Sequence, residues 1–244
     1  MINRGVCMPD YENKFNLTLE QNIFLAKKRI VQNIYNSAKL EGLNVTFPDT
    51  QTILNGIMVP NIKLEDLEVI INLRDGWKFV LNNITKPLDL EFICKVNFYI
   101  SRNESLDWGV LRYGNVGIGG TDYKPPIPVK EEVVIKLEDI NNIKNPTNRA
   151  LEYFAWAVKA QLFWDGNKRT STLVANKILI ENGAGIFTVP ENKIHEFNIE
   201  LNKYYNSDNN KEVFKSFLYE NCIEGMEIQN SLNKTEGEEQ EPDL

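Results

Sequence analysis

Histidine is nearly missing from this chain. His195 is the only one among 244 residues, which removes every mechanism built on a pair of histidines. Cysteine is scarce as well. Cys7, Cys94 and Cys222 are far apart, odd in number and in no metal-ligand spacing, so a reducing cytoplasm is the expected setting. No apolar run is long enough to cross a bilayer, and the N-terminus has no basic segment followed by an apolar stretch. Neither a membrane span nor a secretory leader is expected. Positive charge is also in deficit: the formal net charge is -7, and no Lys/Arg stripe offers the grip that nucleic acid needs.

What is present reads as an ordinary globular chain, 42% apolar and 25% charged, and mostly α in pattern. Helical periodicity runs over 18–41, opened by a capping box of Thr18 and Gln21. Further helices are expected over 63–82, 89–102 and 130–141. After the cap and first-turn pair Asn145-Pro146 a helix runs to about Gln161. Another spans 167–182 and stops at Gly183, which suits the left-handed position past a helix end. Two more, near 191–205 and 211–220, complete the set. The tail from Gly225 to Leu244 is acidic and polar, and is expected to be disordered.

One stretch breaks the helical pattern. In 115–123, Val116 and Ile118 alternate with small residues, Gly119-Gly120 suits a two-residue turn, and Thr121 and Tyr123 alternate back. Pro125-Pro126 closes it. A short β-hairpin and a plain connecting loop both fit, because a lone hairpin buries little.

The segment Phe163-Trp164-Asp165-Gly166-Asn167-Lys168-Arg169-Thr170 carries the chemistry. A helix N-terminus leaves backbone N–H groups unpaired and carries partial positive charge, so it attracts phosphate. Gly166 lets the backbone approach closely. Lys168 and Arg169 add charge, with Arg169 suited to bidentate contacts. Asp165 is a hard oxygen ligand for Mg²⁺, which takes one or two carboxylates plus substrate phosphates. The same residues also suit an ordinary capped helix with solvated basic side chains.

Phe163-x-Asp165-Gly166-Asn167-Lys168-Arg169-Thr170 resembles the central motif of the Fic/Doc family, His-x-Phe-x-(Asp/Glu)-(Gly/Ala)-Asn-(Gly/Lys)-Arg. Two further stretches match in order. Gly109 to Pro126, with Arg112 and Val116-Gly117-Ile118-Gly119-Gly120-Thr121, resembles the family's target-docking flap. Ser37-x-x-x-Glu41-Gly42 resembles the inhibitory motif that some members carry before the core. The resemblance implies a Fic-like helical bundle with a β-hairpin flap: an N-terminal helical extension over 1–85, a core over 86–224 and a tail over 225–244. It implies Mg²⁺ with ATP, and transfer of AMP to a hydroxyl of another protein. By position, Asp165 holds the metal, Gly166, Asn167 and Lys168 line the anion hole, and Arg169 grips phosphate. The flap holds an unknown target protein by strand addition.

Three departures qualify the activity. Gln161 stands where the family has the histidine that deprotonates the attacking hydroxyl, and losing a general base costs about 10²–10⁴-fold. Gln161 continues the stripe Leu151, Phe154, Val158 and so is expected to face the site, although a good helix former near a helix end fits too. Thr172 stands where many AMP-transferring members have a second arginine. Lys168 replaces the commoner glycine, a feature of the Doc branch, which transfers a terminal phosphate. The resulting expectation is a nucleotide-binding protein with weakened or altered transfer; a non-catalytic regulator and a Doc-like phosphotransferase are the alternatives. Glu41 and Ser37 continue the apolar face of Ile30 and Ile34. An inward carboxylate in a helix's last turn needs a cation, for which Lys168 and Arg169 are the candidates; a solvated glutamate before a capping glycine is the alternative.

Overall fold

The capping box at Thr18 forms as its residues require: the Gln21 N–H donates to Thr18 Oγ1, and the Gln21 side chain accepts from the Thr18 N–H. The structure is a computed structural model that describes residues 11–226. Cys7 and the expected acidic tail beyond Met226 lie outside the described residues. The helices are α1 (Leu19–Lys28), α2 (Ile30–Leu40), α3 (Phe47–Leu54), α4 (Leu64–Asn82), α5 (Leu90–Ile100), α6 (Lys130–Asn141), α7 (Pro146–Ala160), α8 (Asn167–Glu181), α9 (Ile194–Asn206) and α10 (Lys211–Cys222). The fold is the mostly α bundle expected. Among the described residues no helix is long and apolar enough to cross a membrane.

α8 is the hub. Only Lys168 and Glu181 of its fifteen residues escape burial, because α7 covers one side and α4, α5 and α1 the others. Its polar residues survive there by finding partners. Asn176, for example, donates to the Thr172 and Phe187 carbonyls and accepts from the Phe187 N–H. On the far side of α7, Phe154, Phe187, Phe197 and Phe214 pack ring on ring and are fully buried. Each such ring contributes about 1.5–3 kcal/mol of burial, which locks α9 and α10 onto α7. Gly183 takes φ +68, and a Cβ there would land on the Leu17 carbonyl. It therefore ends α8 and lets the N-terminal segment lie against it.

Three expectations are corrected. The periodic stretch 18–41 is two helices meeting at Arg29, whose φ and ψ are -96 and 5. The hydrogen bonds from Arg29 N to Leu25 O and from Asn33 N to Arg29 O persist, so the ladder bends without breaking. The bend lets α1 reach α8 while α2 packs on α3 and α4. Helix α3 was not expected, although Thr46 and Asp49 form a capping box with Pro48 in the first turn. Finally, the two paired strands are not in the flap. They are β1 (Ile186–Phe187) and β2 (Ile223–Glu224), antiparallel, with Ile186 opposite Glu224 and Phe187 opposite Ile223. Segment 115–123 turns at Gly119-Gly120, Gly120 having φ +82, but has no strand pairing and no main-chain hydrogen bond between its arms. Its two arms are held by side chains instead.

Candidate functional site

Helix α7 stops because Gln161 adopts the left-handed conformation, φ 47 and ψ 62. For a non-glycine residue this costs about 1–2 kcal/mol, and Arg112 supplies the restraint. The residue is 1% exposed, and among the described residues its guanidinium meets no carboxylate. It donates to the carbonyls of Gln161 at 2.5 Å, Gly114 at 2.6 Å and Pro126 at 2.5 Å, while its own N–H donates to Leu162 O at 3.0 Å. Burial pulls its pKa below the usual arginine value. One side chain thus ties both ends of the flap to the end of α7.

The loop from α7 to α8 is braced from inside. Asn167 accepts from the Phe163 N–H at 2.9 Å and donates to the Phe163 carbonyl at 2.8 Å. Asn97, fully buried on α5, donates to Asp165 O at 3.0 Å and Thr170 Oγ1 at 3.1 Å. Gly166 sits at φ +69, where a Cβ would come 2.8 Å from Ile100 Cγ2. Glycine is therefore required both by conformation and by space. The result is a fixed helix N-terminus aimed into a cleft of about 660 Å³.

The cleft gathers most of the expected residues. Flap residues 116–120, Gln161, Asp165 to Lys168, and Glu41 line it. Thr121 does not; its hydroxyl donates to Asn206 Oδ1 at 3.1 Å and pins the flap to α9. Ser37 is buried behind Glu41 on α2, and Gly42 turns the chain away at φ +81. Gln161 reaches the cleft, but its Nε2 turns back to donate to Val158 O at 2.6 Å. The Tyr205 hydroxyl lies 3.5 Å from that amide, and burial pushes its pKa well above the usual phenol range. The far wall was not foreseen: Asn198, Leu201, Asn202 and Tyr205 of α9, whose helical spacing was visible but whose direction was not. Asn202 donates to Gly120 O, and Tyr205 stacks on Tyr123 of the flap at 5.9 Å and 8°.

Charge is concentrated at one end. Glu41 places Oε2 3.7 Å from Lys168 Nζ and Oε1 3.9 Å from Arg169 Nε. Both distances are ion-pair range and beyond hydrogen-bond length. Glu41 Oε1 and Arg169 Nε are buried without hydrogen-bond partners among the described residues. Arg169 itself is 4% exposed and does not line the cleft. Its terminal nitrogens are held by Glu104, Nη1 at 3.0 Å and Nη2 at 2.8 Å, and by the Ile100 carbonyl at 3.0 Å. Burial alone would lower its pKa, but Glu41, Glu104 and Asp165 outweigh that and raise it. Glu104 carried no sequence signal, lying in the loop after α5, 65 residues from its partner.

Asp165 is half-exposed, its side chain 48% accessible, and its Oδ1 accepts the Gly166 N–H and, at 3.5 Å, Arg169 Nη2. The other oxygen is open to the cleft rim. Among the described residues no cluster of three His, Cys, Asp or Glu is placed to hold a metal. That donor set fits Mg²⁺ shared with phosphates and does not fit an all-protein cage.

Residues 87–179 match the Fic/DOC family model. The protein adenylyltransferase Fic of Drosophila yakuba is 24% identical over 189 residues, covering 73% of this chain and 36% of that protein. The chain thus spans little more than a third of that relative's length. In fold, it superposes on Fic-1 of C. elegans (residues 134–508) with a TM-score of 0.67 at 19% identity, over 85% of this chain and 65% of that one. A Fic-domain signaling protein of Bacteroides thetaiotaomicron gives 0.68 at 20% identity, over 84% and 86%. Together with the bundle and the braced loop, the family-model match places a domain of the Fic/DOC family at residues 87–179.

Proposed function

We propose that the cleft holds a Mg-nucleotide, ATP in the first instance, and that the protein transfers AMP from it to a protein hydroxyl only weakly. The phosphates rest on the α8 N-terminus at Gly166 and Asn167 and on Lys168, whose ammonium is only loosely engaged, donating to the Leu40 carbonyl at 3.4 Å and meeting Glu41 Oε2 at 3.7 Å. Asp165 holds the metal, which supplies neutralisation of phosphate charge. The open main chain of the flap takes an extended segment of the target by strand addition, since no hydrogen bond joins its own arms. The helices before residue 86 act as an extension delivering Glu41, which competes for the phosphate seat. Free Cys94 and Cys222 suit a cytoplasmic setting.

The observation that carries the weak-transfer reading is the state of Gln161. In AMP transfer the target oxygen bonds to the α-phosphorus, the bond to pyrophosphate breaks, and the hydroxyl proton must leave. A carboxamide is not basic enough to accept that proton, the Gln161 amide is moreover turned back onto Val158 O, and the neighbouring Tyr205 hydroxyl stays protonated. Without a general base the rate falls by about 10²–10⁴-fold. Gln161→His in a Glu41→Gly background is expected to raise transfer from α-labelled ATP by about that factor. If the histidine variant labels nothing, the reading of the cleft as a transferase site is wrong and the non-catalytic reading takes its place. Lys168 favours one alternative, phosphate transfer of the Doc kind; label arriving from γ-labelled and not from α-labelled ATP would establish it.

A further inference from the structure

Arg169 is the guanidinium carried by the first turn of α8, and its donors are unevenly committed. Nη1 is held by Glu104 Oε1 and the Ile100 carbonyl, both at 3.0 Å, and Nη2 by Glu104 Oε2 at 2.8 Å and, more weakly, by Asp165 Oδ1 at 3.5 Å. This is a fork-to-fork pair, the strongest geometry open to the two groups. Glu104 is itself fixed: Asn72 Nδ2 donates to its Oε1 at 2.7 Å and to the Arg102 carbonyl at 2.9 Å. The Glu104 side chain is 12% exposed and that of Arg169 4%, so solvent does little to weaken the pair. Only Nε is left. It is buried, has no hydrogen-bond partner among the described residues and looks toward Glu41 Oε1 at 3.9 Å.

We propose that Glu104 is a positioning residue that withdraws Arg169 from the cleft, leaving a seat that holds a nucleoside diphosphate as tightly as a triphosphate. The inference rests on the nucleotide-binding reading above and departs from the grip on phosphate that the motif leads one to expect of Arg169. Discriminating a third phosphate requires positive charge beyond what two phosphates already use. The cleft offers the α8 N-terminus and Lys168. Thr172, one turn along α8 from Lys168, is uncharged and buried. Around the seat two cations, Lys168 and Arg169, meet three carboxylates, Glu41, Glu104 and Asp165. Removing Glu41 balances the count without freeing the Arg169 terminal nitrogens.

Calorimetry with Mg-ADP and Mg-ATP on the full chain carrying Glu41→Gly tests this. The two dissociation constants are expected to agree within about threefold, and adding Glu104→Gln to tighten Mg-ATP by about tenfold or more while Mg-ADP changes little. A purely structural role for Glu104 would shift both ligands together, and that result overturns the proposal. So does a preference of about tenfold or more for Mg-ATP while Glu104 is in place, a comparison that needs no second variant and stands even if Glu104→Gln fails to fold. Absence of binding by either nucleotide is a different failure: it removes the nucleotide site itself, and this inference with it.

Discussion

Glu41→Gln isolates one charge at the mouth of the phosphate seat. The carboxylate lies 3.7 Å from Lys168 Nζ and 3.9 Å from Arg169 Nε. A phosphate oxygen seated against Lys168 would come within a few ångströms of Glu41. Two like charges about 4 Å apart repel by roughly 4 kcal/mol at an effective dielectric of 20, and swinging the glutamate aside relieves part of that. Retaining about a third to a half leaves roughly 1.4–2 kcal/mol, or about ten- to thirtyfold in affinity. The stability cost is small, because neither ion pair reaches hydrogen-bond length and Oε1 has no hydrogen-bond partner among the described residues to lose. Calorimetry of Mg-ATP on both proteins, with thermal melts alongside, is the assay. Affinities equal within about twofold would refute the reasoning, as would a loss of stability beyond about 2 kcal/mol with no gain in binding, since such a loss marks a core contact.

Gly166→Ala combines a left-handed φ of +69 with a Cβ 2.8 Å from Ile100 Cγ2; urea unfolding is expected to show a loss of about 2–4 kcal/mol, and a loss under about 1 kcal/mol would mean the loop relaxes freely. Glu152 is buried on α7 between Lys211, Lys215 and Lys136; burial alone would raise its pKa, but the hydrogen bond from Lys211 and the three ammonium charges lower it on balance. A depressed folded-state pKa means its contribution is present above the unfolded value and disappears as pH falls through the folded one. Glu152→Gln is therefore expected to lose about 2 kcal/mol at neutral pH, with the gap to the parent closing in acid; a gap independent of pH would contradict this. Gln161→His, described above, tests the missing base.

The core motif was legible because its constraints are local. Gly166 and Gly183 had to be glycine for their backbone angles, and both take positive φ. The stripe Leu151, Phe154, Val158 had to face inward, and all three are fully buried. Contacts between distant segments were not legible. Nothing near Glu104 or Asn97 in sequence announces that they hold Arg169 and the Asp165 carbonyl, because each pairing is set by how α5 crosses α8. The flap misled for a related reason. Its alternation and glycine turn are those of a hairpin, but Arg112 and the α9 residues Asn202 and Asn206 hold it open in place of a ladder. Helix α3 was a signal overlooked: Thr46, Pro48 and Asp49 spell a helix start.

The measurement that tests the account most directly is titration of Mg-ATP into the Glu41→Gly chain and the same chain with Lys168→Ala. Saturable one-to-one binding, weakened about tenfold or more by the alanine, is the result the account predicts. No binding to the first protein, or equal binding to both, would contradict a phosphate seat at the start of α8.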